Sequence, residues 1–270
     1  MTRLRTEWIT YMLDGMEEYN RQLRLKTGMD LSGLAMDTFG ISPERYEALQ
    51  REIRVAVIPI TQGEGIIGSF SQSVAAIVAS MGFTADVMDH TDVDGIYDAV
   101  GTGHQILFFA DDIRYLAVNV TAGICSDNNY ATALGFIRVM KALMERHGKD
   151  MTAEKLLQIG YGIVGKEAAE ILRQMGADFD LYDKDREAAA AFAGRKLSGK
   201  EEIRTYSYIL DFTNEGGWLT SEDLASDVLY VSPGVPYSLD ETAAAALEDR
   251  AVHDNLEIGT AIMLGQCLLP

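Results

Sequence analysis

Gly160, Gly162 and Gly165, spaced as G-x-G-x-x-G, constrain the fold of this 270-residue chain more than any other feature. The apolar run Leu156-Leu157-Gln158-Ile159 leads straight into them, and Lys166 to Met175 are strong helix formers, so the motif falls on a strand-to-helix turn. Gly160 permits the tight turn, Gly162 lets the backbone approach a pyrophosphate, and Gly165 allows the helix to pack closely on the strand. The turn around Tyr161 and the first helical residues, Ile163 and Val164, then present backbone N–H groups to an anion. Asp183 closes the next apolar strand eighteen residues after Gly165, where a carboxylate binds ribose hydroxyls and repels a 2′-phosphate. This favours NAD over NADP, while the neighbouring Lys184 and Arg186 weaken the preference. The competing reading is a glycine turn in an α/β domain that binds no nucleotide.

Strand and helix alternate on both sides of the motif. After it come a helix over 163–175, a strand over 178–182, a helix over 185–193, strands over 207–212 and 228–232, and a last helix after Glu257. Before it, a continuous apolar run from Val55 to Ile60, a helix over 69–81, a strand over 84–88, a helix over 93–100 and a strand over 105–110 make a small βαβαβ unit. A loop from Asp111 to Asn128 and a long helix from Tyr130 to Arg146 join the two series. The first fifty residues are a helical preface. Trp8, Met12, Met16, Tyr19 and Leu23 form one stripe of a helix over 7–25, a second helix follows Asp30, and Ser42-Pro43 opens a third. The expected class is therefore α/β. Residues 1–150 form the helical preface and a small substrate-side domain, and residues 151–270 a Rossmann-type dinucleotide domain with a parallel sheet.

Charge narrows the partners. Forty-one acids against 23 bases give a formal charge of −18, which repels nucleic-acid phosphates and anionic membrane faces and leaves a small molecule as the expected partner. Cys125 and Cys267 have no metal-ligand spacing with His90, His104, His147 and His253, so neither a structural zinc nor a disulfide framework is expected. With no apolar signal core after Thr2-Arg3 and no run of membrane-spanning length, the expected compartment is the cytoplasm. Oligomeric state stays open, a homo-oligomer included.

In doubly wound sheets ligands lie beyond the carboxyl ends of the strands, and the cleft between the two α/β units is the expected reaction site. In the C-terminal unit this directs attention to the loops carrying Phe212 and Thr213 and carrying Ser232 and Pro233, expected to flank the nicotinamide ribose, with Thr260 reaching the carboxamide. In the first unit Asp111 and Asp112 follow a buried apolar strand, and either could hold an ammonium group by charge-assisted hydrogen bonds, the alternative being a solvated loop or a helix cap. Asn119 lies nearby in sequence. No lysine occurs between Thr27 and Met140, so this unit lacks the lysine acid or base of many two-domain dehydrogenases. An amine substrate removes the need for one, because its own nitrogen lone pair drives hydride departure.

Thr61 to Ser71 (TQGEGIIGSFS), Thr91 to Tyr97 (TDVDGIY), Phe109 to Asp112 (FADD) and the glycine motif together resemble the dehydrogenase family of pyrrolysine biosynthesis, over nearly the whole chain. The resemblance implies oxidation of the terminal amine of 3-methylornithyl-N6-lysine by NAD, to an imine or aldehyde that cyclises. It further implies that Asp111 or Asp112 binds the amino group, and that Leu4 and the Thr61 to Ser71 loop, Ser69 included, enclose the substrate. Two other readings remain: a shikimate-like or methylenetetrahydrofolate-like dehydrogenase, against which the missing lysine argues, and an NAD-sensing protein without turnover.

Overall fold

A computed structural model describes residues 4–270; Thr2 and Arg3 lie outside the described residues. The chain divides into two compact units, one formed by the residues up to Gln22 with Met29–Ala131 and Leu256–Pro270, the other by Leu23–Gly28 and Thr132–Asn255.

In the first unit the preface comprises α1 (Thr6–Ile9), α2 (Met12–Thr27), α3 (Leu31–Phe39) and α4 (Pro43–Glu52). The single helix expected over 7–25 is interrupted between Ile9 and Met12, while Met12, Met16 and Leu23 still bury one face. Asp30 caps α3 by accepting the Gly33 N–H at 2.8 Å, and Ser42 with Pro43 starts α4 as their chemistry requires. The sheet then builds from β1 (Arg54–Ile58), α5 (Phe70–Ser80), β2 (Thr84–Val87), α6 (Asp92–Gly101) and β3 (Ile106–Ala110), with strand order β2-β1-β3 and parallel pairing.

The segment expected to be a loop, 111–128, instead carries two further strands, β4 (Tyr115–Asn119), antiparallel to β3, and β5 (Ile124–Asp127), antiparallel to β4. Alternating burial of Tyr115, Ala117 and Asn119 marks β4 as a covered strand. The polar residues around it, Asp111, Asp112 and Asn119, belong to the turns that reverse the chain.

The second unit begins within α7 (Asn128–Arg146), a helix that starts in the first unit. It continues with β6 (Lys155–Ile159), α8 (Ile163–Gln174), β7 (Asp178–Tyr182), β8 (Tyr208–Asp211), β9 (Leu229–Ser232), α9 (Glu241–Ala246) and β10 (Ala251–His253). Its sheet is parallel throughout, in the order β10-β9-β8-β6-β7. The helix expected over 185–193 is reduced to a short 3₁₀ turn, Ala188–Ala191. Asp180 points from β7 into the interior, where the Tyr206 hydroxyl donates to it at 2.5 Å and Lys155 (2.9 Å) and Arg195 (3.3 Å) balance its charge.

The expected division at residue 150 does not follow the packing. The last helix, α10 (Glu257–Cys267), lies with the first unit, against α3, α5, β4 and β5. All its residues but Gln266 are buried, and a helix without a polar face must be surrounded by protein. No helix among the described residues is long and apolar enough to cross a membrane.

A chain ending at Asn255 should therefore lose amide-exchange protection in α3, β4 and β5 while β6 to β9 keep theirs; protection lost chiefly in β6 to β9 would assign α10 to the wrong unit.

Candidate functional site

In the second unit, β6 lies between β7 and β8, and the glycine turn leaves its carboxyl end. Gly160 has φ +88°, and a Cβ there would stand 3.0 Å from the Phe212 carbonyl carbon. A Cβ on Gly165 would come within 2.3 Å of the Gly160 carbonyl oxygen, so only glycine lets α8 lie this close to β6. Gly162 differs: its missing side chain opens onto empty space, and no side chain caps the helix that starts beside it. The unpartnered first-turn N–H groups at Ile163 and Val164 and that open space fit the pyrophosphate of a dinucleotide.

Asp183 stands at the end of β7. Its Oδ2 accepts the Tyr161 N–H at 2.7 Å and its Oδ1 the Asp185 N–H at 2.8 Å, so the carboxylate is oriented at the turn. The Tyr161 ring is buried edge-on against Phe192, at 5.6 Å, and contributes to the turn by its backbone. Gln158 was not among the residues marked by the sequence. It is fully buried, and its amide donates to the carbonyls of Gly160 (2.8 Å) and Gly165 (2.7 Å), bracing both ends of the motif. An amide in an otherwise apolar strand was the available signal.

The neighbouring loops are locked to this turn. Fully buried Asp211, at the end of β8, accepts the Thr213 N–H (2.8 Å), the Thr213 hydroxyl (2.6 Å) and the Tyr230 hydroxyl (2.6 Å); burial raises its carboxyl above the usual range. Gly234 packs on this loop, since a Cβ there would lie 2.1 Å from the Thr213 carbonyl oxygen. Ser232 is buried and accepts the Gly234 N–H at 3.0 Å, next to Pro233. Phe212 and Thr213 thus sit beside the glycine turn, while the hydroxyls of Thr213 and Ser232 are occupied in fixing their own loops. Thr260 belongs to α10 in the first unit, where it is fully buried with its hydroxyl 2.9 Å from that of Tyr115.

The first unit holds a partly open pocket at the carboxyl ends of β1 and β3. Leu4, Ile58, Pro59, Ile60, Ile66 and Phe70 make it apolar; Ser71, Asp111 and Asp112 supply its polar side chains. Asp111 caps the β3–β4 turn. Its Oδ1 accepts the N–H groups of Arg114 (2.7 Å) and Ile113 (2.8 Å), bonds that hold its carboxyl below the usual range. Asp112 Oδ2 accepts the Glu64 N–H at 2.7 Å and rests where a side chain on Gly63 would be, which ties the 61–71 loop to the turn.

Leu4, Asp111 and Asp112 are thus brought together, whereas three expected substrate contacts are not. Thr61 gives its N–H (2.8 Å) and hydroxyl (2.7 Å) to Asp92 and does not line the pocket. Ser69 precedes α5 with φ +65°, and the wall is made by the next residues, Phe70 and Ser71. Asn119 pairs with Ile106 because β4 runs antiparallel to β3, which carries it to the opposite end of the sheet from Asp111; there it donates to the Cys267 carbonyl at 2.8 Å. His104 is buried beside β1 and β2, bonded to Asp86 at 2.9 Å, and does not line the pocket.

His253 closes the second unit's loop cluster, donating from Nε2 to the Gly234 carbonyl at 2.8 Å and stacking on Tyr237. Burial pushes its imidazole down to about 4, from an ordinary value near 6.5. Between these values the unfolded chain binds the proton and the folded chain does not. Stability is therefore complete above about pH 6.5 and falls as pH drops toward 4, by up to about 3 kcal/mol. His253→Gln keeps a donor without titrating, so the pH dependence of the urea midpoint should flatten across this window; an unchanged slope would assign the titration to another group.

Comparison with known proteins bears on both units. Residues 9–126 match the family model described as the N-terminal domain of the pyrrolysine biosynthesis protein PylD. The chain is 30% identical over 261 residues to a protein of Methanosarcina acetivorans called pyrrolysine synthase, covering 93% of this chain and 96% of that one. It is equally 30% identical, over 254 residues, to a Methanosarcina barkeri protein of the same name, covering 93% and 95%. Among solved structures, the bifunctional 5,10-methylenetetrahydrofolate dehydrogenase/cyclohydrolase of Thermoplasma acidophilum shares the fold, with a TM-score of 0.51, 11% identity and 87% and 94% of the two chains covered. The shikimate 5-dehydrogenase of Thermus thermophilus aligns with a TM-score of 0.48 and 16% identity, over 80% and 90%. With 30% identity to both Methanosarcina proteins over 93% of its length and a family match over the first sheet, this chain belongs to the PylD family of pyrrolysine biosynthesis proteins.

Proposed function

We propose that this protein is an NAD-dependent dehydrogenase that oxidises the terminal amine of 3-methylornithyl-N6-lysine. The imine formed hydrolyses with loss of ammonia, and the aldehyde closes with an amine of the same molecule, losing water, to the pyrroline ring. The observation that carries this reading is the apolar pocket whose charged side chains are two carboxylates, in a unit without lysine between Thr27 and Met140. That lining suits a flexible aliphatic chain ending in a cation. The names of the Methanosarcina relatives point to the same pathway step.

The glycine turn, the first-turn N–H groups of α8 and Asp183 would hold the dinucleotide, whose oxidised nicotinamide supplies a hydride acceptor when bound. Asp111 keeps Oδ2 outside the turn's hydrogen bonds, and its lowered affinity for protons keeps it ionised, which suits it to holding an ammonium group rather than to removing its proton. Asp112 fixes the loop carrying Ile66 and Ile67, which line the pocket and would cover the amine-bearing carbon of a bound substrate.

Mixing the protein with NAD and synthetic 3-methylornithyl-N6-lysine should produce absorbance of the reduced nicotinamide together with the cyclised mass; no reduction would remove the proposed activity. Asp111→Asn should lower kcat/KM for the amine by about thirtyfold or more while nucleotide affinity is kept. A fully active variant would take Asp111 out of the substrate site.

A further inference from the structure

The residues after Asp183 carry an electrostatic ambiguity, because Lys184 and Arg186 offer cations where the extra phosphate of NADP would need one. Both are engaged. The Lys184 ammonium is paired with the Glu215 carboxylate, contributed by the loop after β8, and that pairing raises the Lys184 ammonium above its usual range. The Arg186 guanidinium donates to the Ser198 carbonyl at 3.0 Å. Asp183 itself has each oxygen on one backbone N–H, with acceptor capacity left for ribose hydroxyls.

We propose that Glu215 is a specificity-determining residue of the nucleotide site, excluding NADP by neutralising Lys184 and adding its own negative charge beside the ribose pocket. The inference rests on the proposed nicotinamide cofactor. Its physical content is a sum of charges: Asp183, Lys184 and Glu215 together carry a net −1. Removing the Glu215 charge releases a cation next to the position of a 2′-phosphate. Both side chains are largely exposed, at 73% and 49%, so water and salt screen the effect.

Fluorescence titration of the whole protein with NADH and with NADPH reads this directly. Glu215→Gln should raise the affinity for NADPH relative to NADH by about three- to tenfold at low salt, and the gain should shrink as ionic strength rises. Adding Lys184→Met to Glu215→Gln should abolish the gain, since the liberated ammonium is its source. If Glu215→Gln binds NADH and leaves the ratio unchanged, or if the gain survives Lys184→Met, this inference is wrong while the cofactor assignment stands. A wild-type protein that binds neither nucleotide overturns both.

Discussion

A carboxylate with no exposure to solvent, Asp211, lies beneath the loops that follow β6, β8 and β9. Burying a charge in this way is costly unless hydrogen bonds compensate it, and here the Thr213 N–H, the Thr213 hydroxyl and the Tyr230 hydroxyl do so. The compensation works only when the chain after β8 turns so as to bring Thr213 back over its own strand. In that turn Phe212 and Thr213 press against Gly160, and the Thr213 carbonyl against Gly234, with no room for a side chain at either glycine. The glycine turn and its neighbouring loops are in this sense the outer side of a satisfied buried carboxylate. Gln158 plays the corresponding part from β6, tying the carbonyls of Gly160 and Gly165 to one amide.

The first unit solves a different problem with the same residue type. Its acids are not stacked in a core. Asp111 and Asp112 use backbone N–H groups on either side of the pocket mouth, one closing the β3–β4 turn and the other holding the 61–71 loop. Each carboxylate therefore has a structural partner among the backbone N–H groups and stands in the lining of an apolar pocket. Polar groups fixed in advance around an apolar pocket lose little conformational freedom on binding a ligand.

Periodicity and the glycine motif made most of the parallel strands and helices legible, because a strand covered on both faces and a helix with one apolar stripe leave patterns at short range. The turn at Gly160 and the position of Asp183 at a strand end followed from the motif, and the family resemblance named Leu4, Asp111 and Asp112, which line one pocket. The antiparallel strands β4 and β5 did not, since the acids and asparagines of their turns outweighed a short alternating strand such as Tyr115–Asn119. That omission misplaced Asn119 as well, because a reversal of chain direction carries it back along β3 to the opposite end of the strands.

What the sequence determined by itself is local: which segments form strands and helices, where glycine is obligatory, and which acids end strands. Tertiary packing decided how those pieces are used. It placed α10, with Thr260, in the first unit, because a helix apolar on every side has to be surrounded and the space between α3, α5, β4 and β5 surrounds it. It also decided that Lys184 meets Glu215 and that Thr61 meets Asp92, partners 31 residues away in each case. The sign of a side chain's charge is written in the sequence, but its partner depends on where the chain returns.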